Sequence, residues 1–506
     1  MSDIIDYEKL RNGSDIRGIA MENSEGAEIN LTPDAVRHLA AAFVKWLEKD
    51  NAKKPLRIAV GRDSRITGPE LAQAVFDGIS AAGAKPYDLG LASTPAMFMS
   101  TVLGETPYDG SIMITASHLP SHRNGMKFFS PKGGLEKEDI GFITKNAPDT
   151  VIEEKDIAAE KAAFMDTYTA YLREKIINGV NAADRDHPLK GLHIIVDAGN
   201  GAGGFFAEKV LKELGADVSG SLFLDPDGRF PNHIPNPENK EAAGFIREAT
   251  LKNKADLGII FDTDVDRAGA VLPDGRELTR NDLIAVLSTI VIREHPGTTI
   301  VTDSVTSDGL ADFIKAKGGI HKRFKRGYRN VINEAIRLNK EGVDSDLAIE
   351  TSGHGALKEN YFLDDGAYLM VKLLTELGKG SSLKDMIADL REPAESGEVR
   401  FPVTAEDVSA NGDMVLKLLT ESAGSKEGWS LEKENYEGVR VNTDEAHGNG
   451  WFLLRKSLHE PIMPLNMESN TKGGSGLMAE ELLKVLSEAS GIDLKPLKDF
   501  AQNQVQ

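Results

Sequence analysis

The stretch TASHLP, residues 115–120, lies between two apolar runs, SIMI at 111–114 and GMKFF at 125–129. Short apolar runs bounded by polar residues are typical of buried β-strands, so Ser117 is predicted on a loop that follows a strand. A serine hydroxyl with His118 beside it and Lys127 nearby could become a transiently phosphorylated nucleophile. The stretch alone is equally compatible with an ordinary turn.

A second polar loop, DTDVDR at 262–267, follows the apolar run LGIIF at 257–261. Asp262, Asp264 and Asp266 alternate along a segment predicted to be extended, which would point all three carboxylates to one side. Carboxylates this close repel one another unless a cation neutralises them, and Mg²⁺ prefers such hard oxygen ligands. The alternative is a solvated acidic turn. Together, a hydroxyl nucleophile and a carboxylate nest indicate phosphoryl transfer.

These two motifs resemble those of the α-D-phosphohexomutase family, which interconverts sugar 1-phosphates and 6-phosphates. Further family-like motifs occur in the expected order, nearly from end to end: SDIRGI at 14–19, VGRDSR at 60–65, DAGNGAG at 197–203, IETSGH at 349–354 and RKS at 455–457. The chain is therefore identified as a member of this family.

Apolar strands alternate with longer amphipathic stretches throughout the chain, which predicts an α/β architecture. The resemblance implies three successive mixed α/β domains and a C-terminal α+β domain around a central active-site cleft. We place a phosphoserine-loop domain at 1–175, a metal-loop domain at 176–285, a sugar-loop domain at 286–395 and a phosphate-binding domain at 396–506.

The resemblance also implies an activity and a set of site residues. Phosphorylated Ser117 would transfer its phosphoryl group to a hexose monophosphate through a hexose 1,6-bisphosphate, with Mg²⁺ bound. The predicted catalytic residues are Ser117, His118, Lys127 and Arg17. The predicted metal ligands are Asp262, Asp264 and Asp266 with Ser117. The predicted substrate-binding residues are Arg267, Glu350, Ser352, His354, Lys325, Arg329, Arg455, Ser457 and His459.

The sequence departs from the family pattern at several of these loops. Val265 stands where the family has glycine, Val305 where many members carry an active-site lysine, and Tyr328 where they carry histidine. The last loop has Leu458 and His459 in place of two small polar residues. The resemblance predicts a phosphomannomutase/phosphoglucomutase, with a phosphoglucosamine mutase as the alternative. The sequence does not choose among glucose, mannose and glucosamine phosphates as the substrate, and it does not identify the general acid/base.

Three other interpretations are compatible with parts of the chain. FDTDV at 261–265 matches the haloacid-dehalogenase phosphatase pattern, with Asp262 as the nucleophile. The run GNGAGG at 199–204 fits a dinucleotide-binding fingerprint, although a glycine turn that packs a strand against a helix explains it better. A sugar-phosphate-binding protein without catalysis is the non-enzyme alternative.

Composition limits the classes of partner. A chain of 506 residues is long enough for several domains. Its net charge of −20 argues against nucleic acids and anionic membranes as partners. The partner that the family resemblance implies is a small-molecule sugar phosphate. There are no cysteines, and the N-terminus resembles no signal peptide. We expect a cytoplasmic enzyme, either a monomer or a homodimer.

Overall fold

The computed structural model of the protein describes residues 5–22, 26–51, 54–147, 152, 155–457 and 460–504. The chain divides into two compact units. The first comprises Met1–Thr279 and Ser352–Asp385, and the second comprises Arg280–Thr351 and Met386–Gln506. Within the described ranges, no helix has the length and apolar character needed to cross a membrane.

The first unit contains an eight-stranded mixed sheet. Its strands are β1 (Arg11–Asn12), β2 (Asp15–Ile19), β3 (Arg57–Arg62), β4 (Lys85–Leu91), β5 (Gly110–Ile114), β6 (Arg123–Ser130), β7 (Gly133–Gly134) and β8 (Glu160–Lys161). The order is β1-β2-β6-β5-β3-β4-β8, and β7 pairs with β6. Strand β3 runs parallel to β4 and β5, whereas β6 runs antiparallel to β2 and β5.

Helices accompany this sheet: α1 (Pro33–Glu48), α2 (Gly68–Ala81), α3 (Thr94–Met99) and α4 (Lys137–Asn146). Helix α1 begins at Pro33, because proline suits a first helical position and the Thr32 hydroxyl accepts a hydrogen bond from the backbone N–H of Ala35 at 3.2 Å. Apolar residues of α1, α2, β3, β5 and β6 form one core cluster. Strand β5 is buried along its whole length, so the loop after it starts from a fixed point.

A second, four-stranded sheet in the first unit carries the acidic loop. Its strands are β9 (Ile194–Asp197), β10 (Leu257–Phe261), β11 (Ala268–Val271) and β12 (Glu277–Leu278), in the order β12-β11-β10-β9. Its helices are α5 (Phe164–Val180) and α6 (Lys240–Asn253). Strand β10 is parallel to β9 and antiparallel to β11, so residues 262–267 form the connection of a β-hairpin.

The second unit has a parallel sheet and an antiparallel one. The parallel strands β13 (Thr299–Thr302), β14 (Ile320–Arg323) and β15 (Leu347–Ile349) accompany helices α7 (Arg280–Glu294), α8 (Asp308–Ala316) and α9 (Tyr328–Lys340). The next segment of the chain returns to the first unit with the hairpin β16 (Gly355–Leu357) and β17 (Leu363–Asp364) and helix α10 (Gly366–Gly378), and α11 (Leu383–Met386) follows it.

The C-terminal part of the second unit is an antiparallel sheet with helices. Its strands are β18 (Glu395–Pro402), β19 (Trp429–Leu431), β20 (Val439–Thr443), β21 (Gly450–Leu454) and β22 (Ile462–Ser469), in the order β18-β22-β21-β20-β19. Its helices are α12 (Val408–Ala423), α13 (Gly474–Leu486) and α14 (Lys495–Gln504). The predicted α+β character of this part is confirmed, although α14 was not predicted.

Candidate active site

Ser117 lies on the loop after β5, as predicted, and is buried. Its backbone has φ of 52°, a left-handed conformation that is uncommon for residues other than glycine. The Ser117 hydroxyl donates to Asp262 Oδ2 at 3.1 Å, and His118 Nδ1 lies 3.3 Å from Ser117 Oγ. The loop after β5 and the hairpin turn after β10 therefore meet at the serine hydroxyl.

A buried arginine fixes the serine loop. The Arg65 guanidinium donates to the carbonyl oxygens of Ser117 at 2.5 Å and Leu119 at 2.7 Å, and also to those of Pro120 and Arg123. Asp63 accepts from Arg65 Nε at 3.2 Å, and both side chains are fully buried. Because four loop carbonyls share one rigid donor group, the backbone around Ser117 is held in place.

Asp63 also connects this clamp to the serine itself. The Thr115 hydroxyl donates to Asp63 Oδ2 at 2.7 Å, and it accepts from the backbone N–H of Ser117 at 2.9 Å. The chain of contacts from Arg65 through Asp63 and Thr115 ends on the Ser117 backbone, which supports the left-handed conformation of that residue.

The acidic loop is a tight turn, so the prediction of an extended segment is wrong. The backbone N–H of Val265 donates to the carbonyl of Asp262 at 3.3 Å, and Val265 has φ of 67°. A β-branched residue rarely adopts this conformation, which glycine adopts freely. The chain reverses here because β10 and β11 are antiparallel neighbours, and the turn rather than strand alternation brings the three carboxylates together.

The three carboxylates are buried and surrounded by cations. Lys127 Nζ lies 2.5 Å from Asp266 Oδ2 and 3.3 Å from Asp264 Oδ2. Arg267 Nη2 lies 3.4 Å from Asp262 Oδ2, and the backbone N–H of Arg267 donates to Asp262 Oδ1 at 3.2 Å. Buried charges of opposite sign placed this closely compensate one another's loss of hydration.

The pKa values of Asp262 and Asp266 shift in opposite directions. Burial, together with the charges of Asp266 and Asp264, raises the pKa of Asp262 well above its usual range. Burial opposes ionisation of Asp266 too, but Lys127, His354 and Arg267 outweigh it and lower the pKa of that carboxyl. The surrounding cations therefore favour the ionised form of Asp266, whereas burial and the neighbouring carboxylates favour the protonated form of Asp262.

The donor set fits a divalent cation. One carboxylate oxygen from each of Asp262, Asp264 and Asp266 lies within 4.8 Å of the others. Asp264 Oδ1 and Asp266 Oδ1 are buried and accept no hydrogen bond within the described part of the chain. Buried carboxylate oxygens are costly without a partner, and hard oxygen ligands of this kind are what Mg²⁺ and similar ions prefer. These residues could hold such an ion.

Two predicted histidines adjoin the cluster. His354 Nδ1 lies 2.6 Å from Asp364 Oδ2 and 3.9 Å from Asp266 Oδ1. Burial lowers the pKa of His354, but Asp364 and Asp266 outweigh it, so the pKa is raised overall. Burial and the charges of Arg267, Arg17 and His354 lower the pKa of His118 to about 2, so His118 is neutral beside the serine.

Arg17 lies on β2 and forms an ion pair with Asp15 at 3.0 Å. Its neighbour in the sheet is Gly125 on β6, two residues before Lys127.

The contacts described above bring seven further predicted residues of the first unit around Ser117: His118, Lys127, Asp262, Asp264, Asp266, Arg267 and His354. Ser352 is buried in the same unit.

Glu350 belongs to the second unit and directly follows strand β15. Its Oε1 accepts from the backbone N–H of Gly327 at 2.5 Å. The neighbouring Thr351 donates its hydroxyl to Asp303 Oδ2 at 2.8 Å, and Arg326 Nε lies 3.9 Å from the same oxygen. Residues 326–327, which precede α9, and residues 350–351 are therefore neighbours within this unit.

Arg455 is buried at the end of β21, and its Nη1 lies 4.0 Å from Glu437 Oε1. The Ser457 hydroxyl accepts from the backbone N–H of Glu460 at 3.2 Å. The Glu460 carboxylate lies 3.7 Å from Arg400, and Lys456 pairs with Asp413. His459, together with Leu458, lies outside the described residues.

Of the remaining predicted substrate residues, Lys325 precedes α9 and Arg329 lies within it. Lys325 is exposed, and Arg329 is partly buried in the first turn of the helix. Val305, at the position of the family's lysine, is buried against Trp451 and Leu453. An apolar contact therefore occupies the position at which many family members carry the active-site lysine.

The glycine turn at 199–204 packs against the acidic loop. The backbone N–H of Ala202 donates to the carbonyl of Thr263 at 2.8 Å. A Cβ atom on Gly201 would lie 2.6 Å from that same oxygen, so only glycine permits this approach. The packing interpretation of these glycines accounts for the contacts.

Several residues that contact the site were not predicted. Thr94 donates its hydroxyl to Asp264 Oδ2, and its backbone N–H donates to the carbonyl of Asp264 at 2.8 Å. Asp63 and Arg65 belong to a motif that the sequence singled out, but their role needs the positions of main-chain carbonyls, which leave no trace in a sequence. Asp364, which Asp365 follows directly, and Glu437 belong to no motif that the sequence singled out.

Comparison with known proteins identifies the family. Family models for the α/β/α domains I, II and III of phosphoglucomutase/phosphomannomutase match residues 8–147, 166–275 and 279–393, well over half of the chain. A phosphoglucomutase of Neisseria gonorrhoeae is 32% identical over 468 residues, which cover 90% of this chain and 92% of the relative. A phosphomannomutase/phosphoglucomutase of Pseudomonas syringae pv. tomato is 29% identical over 443 residues, 86% and 88% of the two chains.

A solved structure agrees with these relatives. The crystal structure of a phosphoglucomutase/phosphomannomutase family protein from Burkholderia thailandensis has a TM-score of 0.77 and 26% identity, and the match covers 95% of this chain and 98% of that one. The predicted succession of three α/β domains and a further sheet domain is confirmed. The chain therefore belongs to the phosphoglucomutase/phosphomannomutase family of α-D-phosphohexomutases, a family of isomerase enzymes.

Proposed function

We propose that this enzyme interconverts hexose 1-phosphate and hexose 6-phosphate through phosphorylated Ser117, with glucose or mannose as the sugar. The observation that carries the proposal is the Ser117 hydroxyl, 3.1 Å from Asp262 in a buried group of three carboxylates. The named activities of the relatives, phosphoglucomutase and phosphomannomutase, support the substrate class.

The reaction consists of two phosphoryl transfers. In the first, the bond between Ser117 Oγ and phosphorus breaks and a bond from phosphorus to the sugar O6 forms, giving a hexose 1,6-bisphosphate from a hexose 1-phosphate. In the second, the phosphoryl group on O1 returns to Ser117 Oγ. The hydroxyl at O6 loses a proton and the oxygen O1 gains one, so no proton is consumed overall.

The residues around Ser117 have separable tasks. Lys127, Arg267 and Arg17 supply positive charge to the transferring phosphoryl group, where electrostatic stabilisation is the main requirement. Asp262, Asp264 and Asp266 would hold Mg²⁺, which supplies Lewis-acid charge when bound. His118 hydrogen-bonds the serine and, with a pKa of about 2, is a poor proton acceptor, so we assign it to orienting the hydroxyl.

The substrate contacts are proposed from the family pattern and the local geometry. Glu350, Ser352 and His354 would bind sugar hydroxyls, since they offer a carboxylate, a hydroxyl and an imidazole. Arg455 and Ser457 would bind the phosphate that is not transferred, because a planar guanidinium suits phosphate oxygens. Lys325, Arg329 and His459 would add positive charge or hydrogen-bond donors.

The haloacid-dehalogenase interpretation has less support. It would make Asp262 the nucleophile of a phosphatase, whereas the family models that match the chain are those of phosphoglucomutase/phosphomannomutase.

Coupled assays with the 1-phosphates of glucose, mannose and glucosamine, each with a trace of the matching 1,6-bisphosphate, test the proposal. We expect turnover of at least one of them, and a loss of at least about a thousandfold in kcat for Ser117→Ala, because the nucleophile itself is removed. Ser121→Ala, on the same loop, is the matched control and should retain wild-type turnover. A Ser117→Ala enzyme with near-wild-type turnover would rule out the serine mechanism.

A further inference from the structure

Glu437 contacts three separate segments of the second unit. Its Oε2 accepts from the Ser304 hydroxyl at 2.6 Å and from the backbone N–H of Arg326 at 3.1 Å. Its Oε1 lies 4.0 Å from Arg455 Nη1. Ser304 follows β13, Arg326 precedes α9, and Arg455 follows β21, so a single carboxylate lies at the meeting point of three loops.

The groups around Glu437 are those that bind phosphate in proteins. A hydroxyl, a backbone N–H and a guanidinium are all donors for an anionic oxygen, and the donors to a charged acceptor form the stronger hydrogen bonds. Burial and the charge of the Arg326 guanidinium lower the pKa of Arg455, and the charge of Glu437 acts in the opposite direction. Arg455 is only 7% exposed. A buried cation with a like charge nearby requires an anion beside it.

We propose that Glu437 is an internal counter-anion of the phosphate site and competes with the substrate's phosphate for Arg455 and for the backbone N–H of Arg326. The inference rests on the phosphate site of the proposed function and adds the residue that sets its affinity. A phosphate that reaches Arg455 brings further negative charge next to the Glu437 carboxylate. Glu437 therefore weakens phosphate binding, which allows the site to release one phosphorylated sugar and accept another.

The opposite role for Glu437 would be to position Arg455, and the two roles predict changes of opposite sign. Glu437→Gln keeps an oxygen that can accept from Ser304 and from the Arg326 backbone, but it removes the negative charge. If Glu437 competes with phosphate, the variant binds phosphate more tightly. If Glu437 positions Arg455, the variant binds phosphate more weakly.

The test uses the full-length enzyme and its binding of inorganic phosphate and hexose 1-phosphate, measured by calorimetry alongside KM. Removing one unit charge at this distance from a partly solvated site should lower both dissociation constants and KM about fivefold to tenfold. The matched control is Glu434→Gln, which removes the same charge from an exposed position on the same loop and should change nothing. Unchanged or larger constants for Glu437→Gln, with wild-type melting behaviour, would overturn the proposal.

Arg455→Ala separates the possible failures. If it weakens phosphate binding while Glu437→Gln does not strengthen it, the inference about Glu437 is wrong and the phosphate site stands. If Arg455→Ala leaves phosphate binding unchanged, the phosphate site and the inference fail together. If both variants bind phosphate as expected but no hexose phosphate is turned over, the inference stands and the proposed activity fails.

Discussion

The substitution Arg65→Lys tests whether the arginine clamp positions the reactive serine. Arg65 donates to five acceptors: the carbonyl oxygens of Ser117, Leu119, Pro120 and Arg123, and the carboxylate of Asp63. A lysine keeps the positive charge next to Asp63, but its ammonium group has only three N–H donors. At least two of the five hydrogen bonds must therefore be lost.

The expected cost follows from the burial of these groups. Hydrogen bonds that involve a charged partner contribute about 1.5–3 kcal/mol each, so two lost bonds weaken the anchoring of the loop by about 3–6 kcal/mol. Because the orphaned carbonyls belong to the serine loop, the effect should concentrate there. Opening of residues 115–123 should become easier by a factor of about 100 or more.

Two measurements report the result. Hydrogen exchange of the amides at 115–123 should accelerate by that factor, and kcat should fall at least about tenfold with a smaller change in KM, since a displaced nucleophile affects the transfer step. The control is Arg62→Lys, because Arg62 is partly exposed and lies 3.8 Å from Asp88. Wild-type exchange in this loop and a kcat within a factor of two would refute the positioning role of Arg65.

Two further predictions concern the cation and a buried carboxyl. Chelator should abolish turnover, and added Mg²⁺ should restore turnover and raise Tm. Asp264→Asn should show neither the restored turnover nor the rise in Tm. Full turnover in strong chelator would contradict the cation site. Burial raises the pKa of Asp365 to about 6. The protonated carboxyl therefore stabilises the folded protein fully below the unfolded pKa near 4, and this stabilisation is lost as the pH rises through 6. Urea unfolding at pH 4.5 and 7 should therefore show that Asp365→Asn gains about 2–3 kcal/mol relative to the wild type at the higher pH, and parallel pH profiles would contradict it.

The sequence predicted the strands and the two loops that meet at Ser117, because apolar runs and the polar residues after them are local signals. It could not show that Asp262 lies 3.1 Å from the serine hydroxyl, since β5 and β10 belong to different sheets. The alternation of the acidic loop suggested an extended segment. A valine at position 265 also argues locally against a left-handed turn, so propensity and pattern both pointed away from the hairpin that tertiary pairing imposes.

The residues that the sequence did not reveal act through the main chain or through single contacts. Arg65 binds carbonyl oxygens, which every residue carries, so its partners have no sequence signal. Glu437 is one of 79 acidic residues in an acidic chain, and only the positions of Ser304 and Arg326 distinguish it. Helix α14 has few apolar residues, and Leu497 and Ala501 pack into the C-terminal core without a long periodic pattern.

The central claim is that Ser117 carries the phosphoryl group during turnover. The most direct measurement is incubation of the enzyme with hexose 1-phosphate labelled with ³²P, followed by rapid quenching and mapping of the labelled peptide. We predict acid-stable, alkali-labile label on the peptide that contains Ser117, and transfer of that label to hexose 6-phosphate when unlabelled substrate is added. Label on the peptide that contains Asp262, released by hydroxylamine as an acyl phosphate would be, or a protein that is never labelled during turnover, would contradict the account.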